Sequence, residues 1–181
     1  MRKTEIAMKH VLRNLAMFIM VVACGIITSC SNEDGDSAGG AGDKSAVVNG
    51  KVSKLNYGFW ETHDGEVYLH FSNVDILNMS SPPKKVEILN ISIEGRATSI
   101  QTGTHRAYIE YDSLNPASET YFNFCAYGNV DVTIAKNGSE YTITIPETTV
   151  RYYEGEDEYN YKTVPFTFSY TGRLVYAHFD E

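Results

Sequence analysis

Cysteine is scarce in this chain. Three occur in 181 residues, and two of them, Cys24 and Cys30, belong to the N-terminal segment. Cys125 is left alone in the remainder, so no internal disulfide can form and the fold must stand on packing. Within the alternating stretch Tyr121-Phe122-Asn123-Phe124-Cys125-Ala126, that cysteine reads as a small buried hydrophobe rather than a nucleophile. Basic charge is short as well. Fifteen Lys and Arg face 23 Asp and Glu, for a net charge of −8. Nucleic acid and anionic lipid headgroups need a basic patch, so neither is an expected partner. No apolar run reaches the roughly 20 residues of a spanning helix. The Gly-x-Ser-x-Gly elbow, the P-loop and the dinucleotide fingerprint are missing, and so is any Cys-x-x-Cys or His-x-Glu-x-His spacing. Neither a metal site nor a cofactor is expected on those grounds.

What is present begins with an address. Arg2, Lys3, Lys9 and Arg13 precede an apolar run, Leu15 to Ile27, of 13 residues. That fits a signal h-region of about 7–15 residues. The run ends in Ile27-Thr28-Ser29-Cys30. This resembles the bacterial lipobox, an aliphatic residue and two small residues before cysteine. The resemblance implies cleavage before Cys30 and acylation of its sulfur, with the thiolate as the nucleophile of thioether formation. At about 0.8 kcal/mol per buried methylene, two or three acyl chains hold essentially permanently. Ser31-Asn32-Glu33-Asp34-Gly35-Asp36 then resembles the acidic export signal of Bacteroidetes surface lipoproteins. That implies an outer-membrane protein facing the cell exterior. An ordinary solvated linker has the same composition. Cleavage would leave 152 residues with a formal charge of −11, because the lost segment carries four basic residues and one acidic one.

The expected organisation is a signal peptide over residues 1–29, an acylated and flexible tether over 30–45, and one all-β domain over 46–181. The tether is rich in Ser, Gly, Ala and Asp. Beyond it, short β-branched and aromatic runs alternate with polar residues and no helical period is sustained. Lys51–Glu61 and Glu66–Asn73 read as strands joined at Asp64-Gly65, a primed-turn signal. Val67, Leu69 and Phe71 share one face of the second, and Tyr68, His70 and Ser72 the other. Further strands are expected at Lys85–Glu94, Ala107–Tyr111, Tyr121–Ala126, Asn129–Ala135, Glu140–Ile145, Tyr159–Phe168 and Gly172–Phe179, with Asn137-Gly138 turning the clearest hairpin. Eight or nine antiparallel strands imply a β-sandwich, a flattened barrel or an up-and-down barrel, which periodicity does not separate. Pro146 and Pro165 stand symmetrically about Gly155-Glu156. If the chain pairs about that tip, Tyr152 faces Tyr159, Val150 faces Tyr161, and residues 147–164 project as a two-stranded ribbon.

Candidate contact residues follow from composition. Of 13 tyrosines, Tyr152, Tyr153, Tyr159 and Tyr161 crowd that ribbon. A tyrosine offers a stacking face and a hydroxyl, as sugar and protein contacts require, although it also simply suits strands. Trp60 is the other aromatic candidate, with core packing as its alternative role. His63, His70, His105 and His178 read as solvated strand or turn histidines. Glu110 and Asp112 share a strand face, where a solvated pair is the plain reading and glycoside hydrolysis the bolder one. Glu154, Glu156, Asp157 and Glu158 form either a calcium ligand set or a charged tip that discourages edge pairing. Asp36-Ser37-Ala38 and Asp112-Ser113-Leu114 resemble the Bacteroidetes O-glycosylation triplet, which nominates Ser37 and Ser113.

Val48-Asn49-Gly50-Lys51, the hairpin Asn129 to Thr144 and Tyr170-Thr-Gly-Arg-Leu together resemble the globular part of uncharacterised Bacteroidetes lipoproteins. Some of those are calycin-like barrels and others sandwiches. The resemblance implies an envelope protein linked to glycan capture or adhesion and supplies no catalytic residue. Three functions are therefore carried forward: a non-catalytic module binding a glycan or another envelope protein, a barrel holding a small apolar ligand, and a small glycan hydrolase.

Overall fold

The computed structural model describes residues 44–79, 83–114, 122–154 and 160–177. Every regular element among them is a strand: β1 Ser45–Val48, β2 Lys51–Lys54, β3 Tyr57–His63, β4 Glu66–Ser72, β5 Val86–Ile93, β6 Gly103–Leu114, β7 Phe122–Asn137, β8 Glu140–Glu154, β9 Lys162–Gly172 and β10 Val175–Tyr176. They form one sheet in the order β10-β3-β4-β5-β6-β7-β8-β9-β1-β2. The domain is all-β, as expected. Its neighbours are antiparallel except β10, which runs parallel to β3. The signal and tether, with Cys30 and Ser37, lie outside the described residues.

The turns explain the meander. Asp64 and Gly65 have φ of 53° and 79°, so β3 and β4 are joined by the primed turn their sequence specifies. Asn49 and Gly50 do the same between β1 and β2. At the β7–β8 hairpin the turn residues are Gly138-Ser139, one step beyond Asn137-Gly138. Asn137 still pairs with Glu140, and Gly138 has a φ of 59°. A flexible first turn residue with an ordinary second one suits a II′-type turn.

The sheet curls onto itself. Phe71 of β4 packs its ring 4.8 Å from both Phe168 and Tyr170 of β9, five strands away in the sheet order. Ser53 on β2 donates a 2.9 Å hydrogen bond to Glu87 on β5. Inside the curl lies a continuous apolar cluster that includes Leu69, Leu89, Ile91, Ile109, Val132, Ile143, Val164 and Phe166. Each large side chain buried there contributes about 1.5–3 kcal/mol. Gly58 lets β3 approach β9 and the following turn. A Cβ there would lie 2.5 Å from Leu174 and 2.9 Å from the Tyr170 ring.

Several expected boundaries change. Lys51–Glu61 is two strands, β2 and β3, because the chain bends at Leu55-Asn56. Tyr121–Ala126 and Asn129–Ala135 merge into the 16-residue β7. The projecting ribbon is not formed over its described part. Arg151 to Glu154 are paired with β7 on one side, and Arg151 and Tyr152 with β9 on the other. Val150 stands opposite Val164 rather than Tyr161, and Tyr152 opposite Lys162 rather than Tyr159. The prolines are not level either: Pro165 faces Thr149, while Pro146 lies in a register shift between Ile145 and Thr148. The physical cause is a bulge in β8. Proline has no ladder donor, and one extra residue enters the strand beside it relative to both neighbours. Before the bulge Ile143 and Ile145 point inward; after it Val150 and Tyr152 do.

Candidate functional site

The bulge also opens the sheet. Between Tyr127 and Thr133 of β7 the ladder to β8 is interrupted. Over that gap, on the outside of the curl, lies a shallow groove of about 340 Å³. Tyr108, Tyr127, Asn129, Thr149, Arg151 and Thr163 provide its polar and aromatic lining, with Gly128 and Val150 beside them. The Arg151 guanidinium lies 4.8 Å from the Tyr161 ring centre and 5.9 Å from that of Tyr127. Tyr153 meets Tyr127 edge-on, with ring centres 6.1 Å apart. Cation–π contact holds the guanidinium between two rings while its donors stay available.

Strand alternation places a row of ionisable groups beside the groove. Outward from β6 come Tyr108, Glu110 and Asp112; opposite them on β7 stand Asn129, Tyr127 and Cys125. Cys125 in turn faces Tyr153 of β8. Ligand atoms of Glu110, Asp112 and Cys125 lie within 4.8 Å of one another. Asp112 is only 4% exposed. Burial, with the neighbouring Asp112 charge second, pushes the Glu110 carboxyl up from 4.5 to about 8. Burial also pushes Asp112 up to about 6, against the opposing hydrogen bond from the Cys125 thiol. The thiol itself is pushed far up, first by burial and then by the two carboxyl groups. Two anions this close and this poorly hydrated cannot both ionise freely.

A second polar chain adjoins them. The His70 ring is 4% exposed. Its Nδ1 is 2.8 Å from Asn90 Oδ1, and its Nε2 is 3.3 Å from Glu61. Asn90 stands opposite Glu110. The expectation of solvated residues therefore fails for Glu110, Asp112 and His70. Each sits on the outer face near the middle or far end of its strand, where that face is itself covered. His105 is a rim residue 3.0 Å from the Gln101 carbonyl, and His63 lies at the β3–β4 turn beside Asp64. His178 lies outside the described residues.

The candidate contact residues divide. Tyr152 is 1% exposed and belongs to the interior cluster, so it drops out of any contact surface. Its hydroxyl reaches the rim and donates to Glu154 at 2.6 Å. That bond, ahead of Lys162 and Lys51 nearby, holds the Glu154 carboxyl below its usual range. Trp60 packs part-buried against the core and meets Tyr176 edge-on. Tyr153 and Tyr161 flank the groove, while Tyr159, Glu156, Asp157 and Glu158 lie outside the described residues. Ser113 is fully buried on β6, which closes it to glycosylation in the folded chain. Sequence reasoning did not single out Tyr108, Tyr127, Asn129 or Arg151. They gather only through cross-strand register, and the signal for it was the proline at 146.

Comparison of the chain with protein-family models, with curated proteins and with solved structures finds no match.

Proposed function

We propose that this chain is a lipid-anchored envelope protein whose β-domain is a non-catalytic glycan-binding module. The observation that supports it best is the groove: two tyrosine rings, a ring-clamped Arg151 and the hydrogen-bonding groups of Asn129, Thr149 and Thr163 in one open depression. Sugars stack their C–H faces on aromatic rings and spread hydroxyls around them, so they match rings bordered by fixed donors and acceptors. The contact surface is this groove with Tyr153 and Tyr161 at its margin, rather than a ribbon. The Cys30 anchor and acidic tether would present it outward from the outer membrane.

A curled sheet with rings packed against each other in its interior supports this better than a barrel holding a small apolar ligand inside. Hydrolysis is less well supported. Glu110 and Asp112 sit side by side on one strand, whereas a glycosidase pair must flank the scissile bond from opposite sides.

A glycan panel on the mature chain tests the module, with Tyr127→Ala expected to weaken binding at least about tenfold, or 1.4 kcal/mol. Absence of any bound glycan, or equal binding by the variant, would overturn it. For the anchor, Cys30→Ala should leave the membrane fraction after an alkaline wash. Retention there would end that part of the reading.

A further inference from the structure

We propose that Glu110, Asp112 and Cys125 form a binding site for one zinc-class divalent cation. The three residues come from adjacent strands, with Asp112 directly opposite Cys125 and Glu110 two residues along the same face. Their ligand atoms lie within 4.8 Å of one another. Zn²⁺ takes thiolate sulfur at about 2.3 Å and carboxylate oxygen at about 2.0–2.2 Å. Around a tetrahedral ion such ligands stand roughly 3.4–3.6 Å apart. Closing the difference requires a movement of about 1 Å, within reach of a glutamate rotamer.

A second observation points to a missing ligand. Asp112 is 96% buried, being 4% exposed, yet its Oδ1 has no hydrogen-bond partner. A carboxylate oxygen denied water is costly to keep ionised unless something positive reaches it. No lysine or arginine is paired with it among the described residues. A cation bound by all three groups would relieve that oxygen and the repulsion between the carboxyl groups together. Asn90, opposite Glu110, has an unpaired Nδ2 that could hold the second glutamate oxygen. Tyr153 stands directly opposite Cys125 on β8, the place of an outer partner for a metal thiolate.

The ligand set selects the ion. One sulfur with two carboxylates suits Zn²⁺ or Co²⁺ far better than Ca²⁺ or Mg²⁺, which prefer all-oxygen shells. Three protein ligands leave a fourth position for water, the open arrangement of a zinc that is not purely structural. Binding would release the protons now held by the carboxyl pair and the thiol.

The inference is independent of the glycan reading. Its test uses the mature protein stripped with a chelator and titrated with zinc against a chromophoric competitor, then with cobalt. We expect one zinc per chain and a sulfur-to-cobalt charge-transfer band. Cys125→Ser should abolish that band, and Asp112→Asn should weaken zinc at least about tenfold. Less than half an equivalent of zinc bound to the wild type would overturn the site. So would a cobalt complex without the sulfur band, which reads the wild type alone even where a variant fails to fold. Zinc affinity unchanged in a folded Asp112→Asn variant would do the same.

Discussion

Strands β5, β6 and β7 carry different chemistry on their two faces, residue by alternate residue. Leu89, Ile91, Ile109 and Val130 point into the curl, are nearly fully buried and bring no polar atom with them. Asn90, Glu110, Asp112 and Cys125 point out, are buried to a comparable or lesser degree, and bring unsatisfied or strained protonation with them. The ladder hydrogen bonds are common to both faces, so the difference lies entirely in the side chains. Burial stabilises the first set by the hydrophobic term alone. It opposes the ionised form of the second set. A sheet can carry such a row because its other face holds the strands in register regardless. The inward face supplies stability, and the outward face is free to hold groups chosen for contact or chemistry.

The sharpest way to break that contrast is to remove stability from the inner face. Phe71 joins β4 to β9 through two ring contacts across the curl. Phe71→Ala should cost about 3–5 kcal/mol, because the cavity lies where two halves of one sheet meet and neither can easily close over it. Urea denaturation with fluorescence detection measures it. A loss under 1 kcal/mol would mean that the curl is held elsewhere.

The outer face should respond to pH with the opposite sign from a salt-bridged carboxylate. In chelator-treated protein, Glu110 and Asp112 have folded values near 8 and 6, above ordinary values of 4.5 and 3.8. Below about pH 3 both states hold their protons and the pair costs nothing. From there to about pH 8 the unfolded chain releases protons that the folded chain keeps, so stability falls as pH rises. Glu110→Gln should match the wild type near pH 3 and exceed it at pH 8 by at least about 1.4 kcal/mol, the equivalent of one pKa unit. Denaturation midpoints taken across that range decide it, and parallel curves for the two proteins would count against the buried pair. Zinc should reverse the trend in the wild type, since ligation needs the deprotonated groups.

These two faces were unequally legible in the sequence. The inward row was plain: Val67, Leu69 and Phe71, or Val130, Val132 and Ile134, alternate without interruption, and period two has one meaning when one face is apolar. Asp64-Gly65 announced its turn for the same local reason. The outward row was not legible, because Glu110 and Asp112 look solvated on any strand whose outer face is open. Their company, Cys125 and Asn90, comes from neighbours 13 to 20 residues distant in the chain. Tyr152 was nominated as part of an expected ribbon; with β8 paired on both sides, the extra residue beside Pro146 turns it inward instead.

Close packing between distant strands offers a smaller perturbation of the inner face. Gly58 is a place where β3 nearly touches the β9 end, and an added Cβ would meet Leu174 and Tyr170 at 2.5–2.9 Å. The methyl group must displace a ring held by its own hydrogen bond to the Arg173 carbonyl, at 2.9 Å. Gly58→Ala should therefore destabilise by about 1–3 kcal/mol. Its unfolding midpoint, compared with that of Gly138→Ala in an open turn, separates crowding from backbone strain: the turn glycine has a φ of 59° and nothing within 4 Å.

The smallest effect is expected where the outer face is wet. Arg106 stands opposite Asp131 on the same outward face as Glu110, with their atoms 3.2 Å apart and both side chains more than half exposed. Water already hydrates these charges, and two mobile side chains lose freedom in pairing. Arg106→Ala should thus change stability by less than about 1 kcal/mol, and by less still in high salt. Thermal melts at low and high ionic strength provide the measurement. A loss as large as the Glu110 effect would show that charge alone, rather than charge denied water, sets the cost of the outer face.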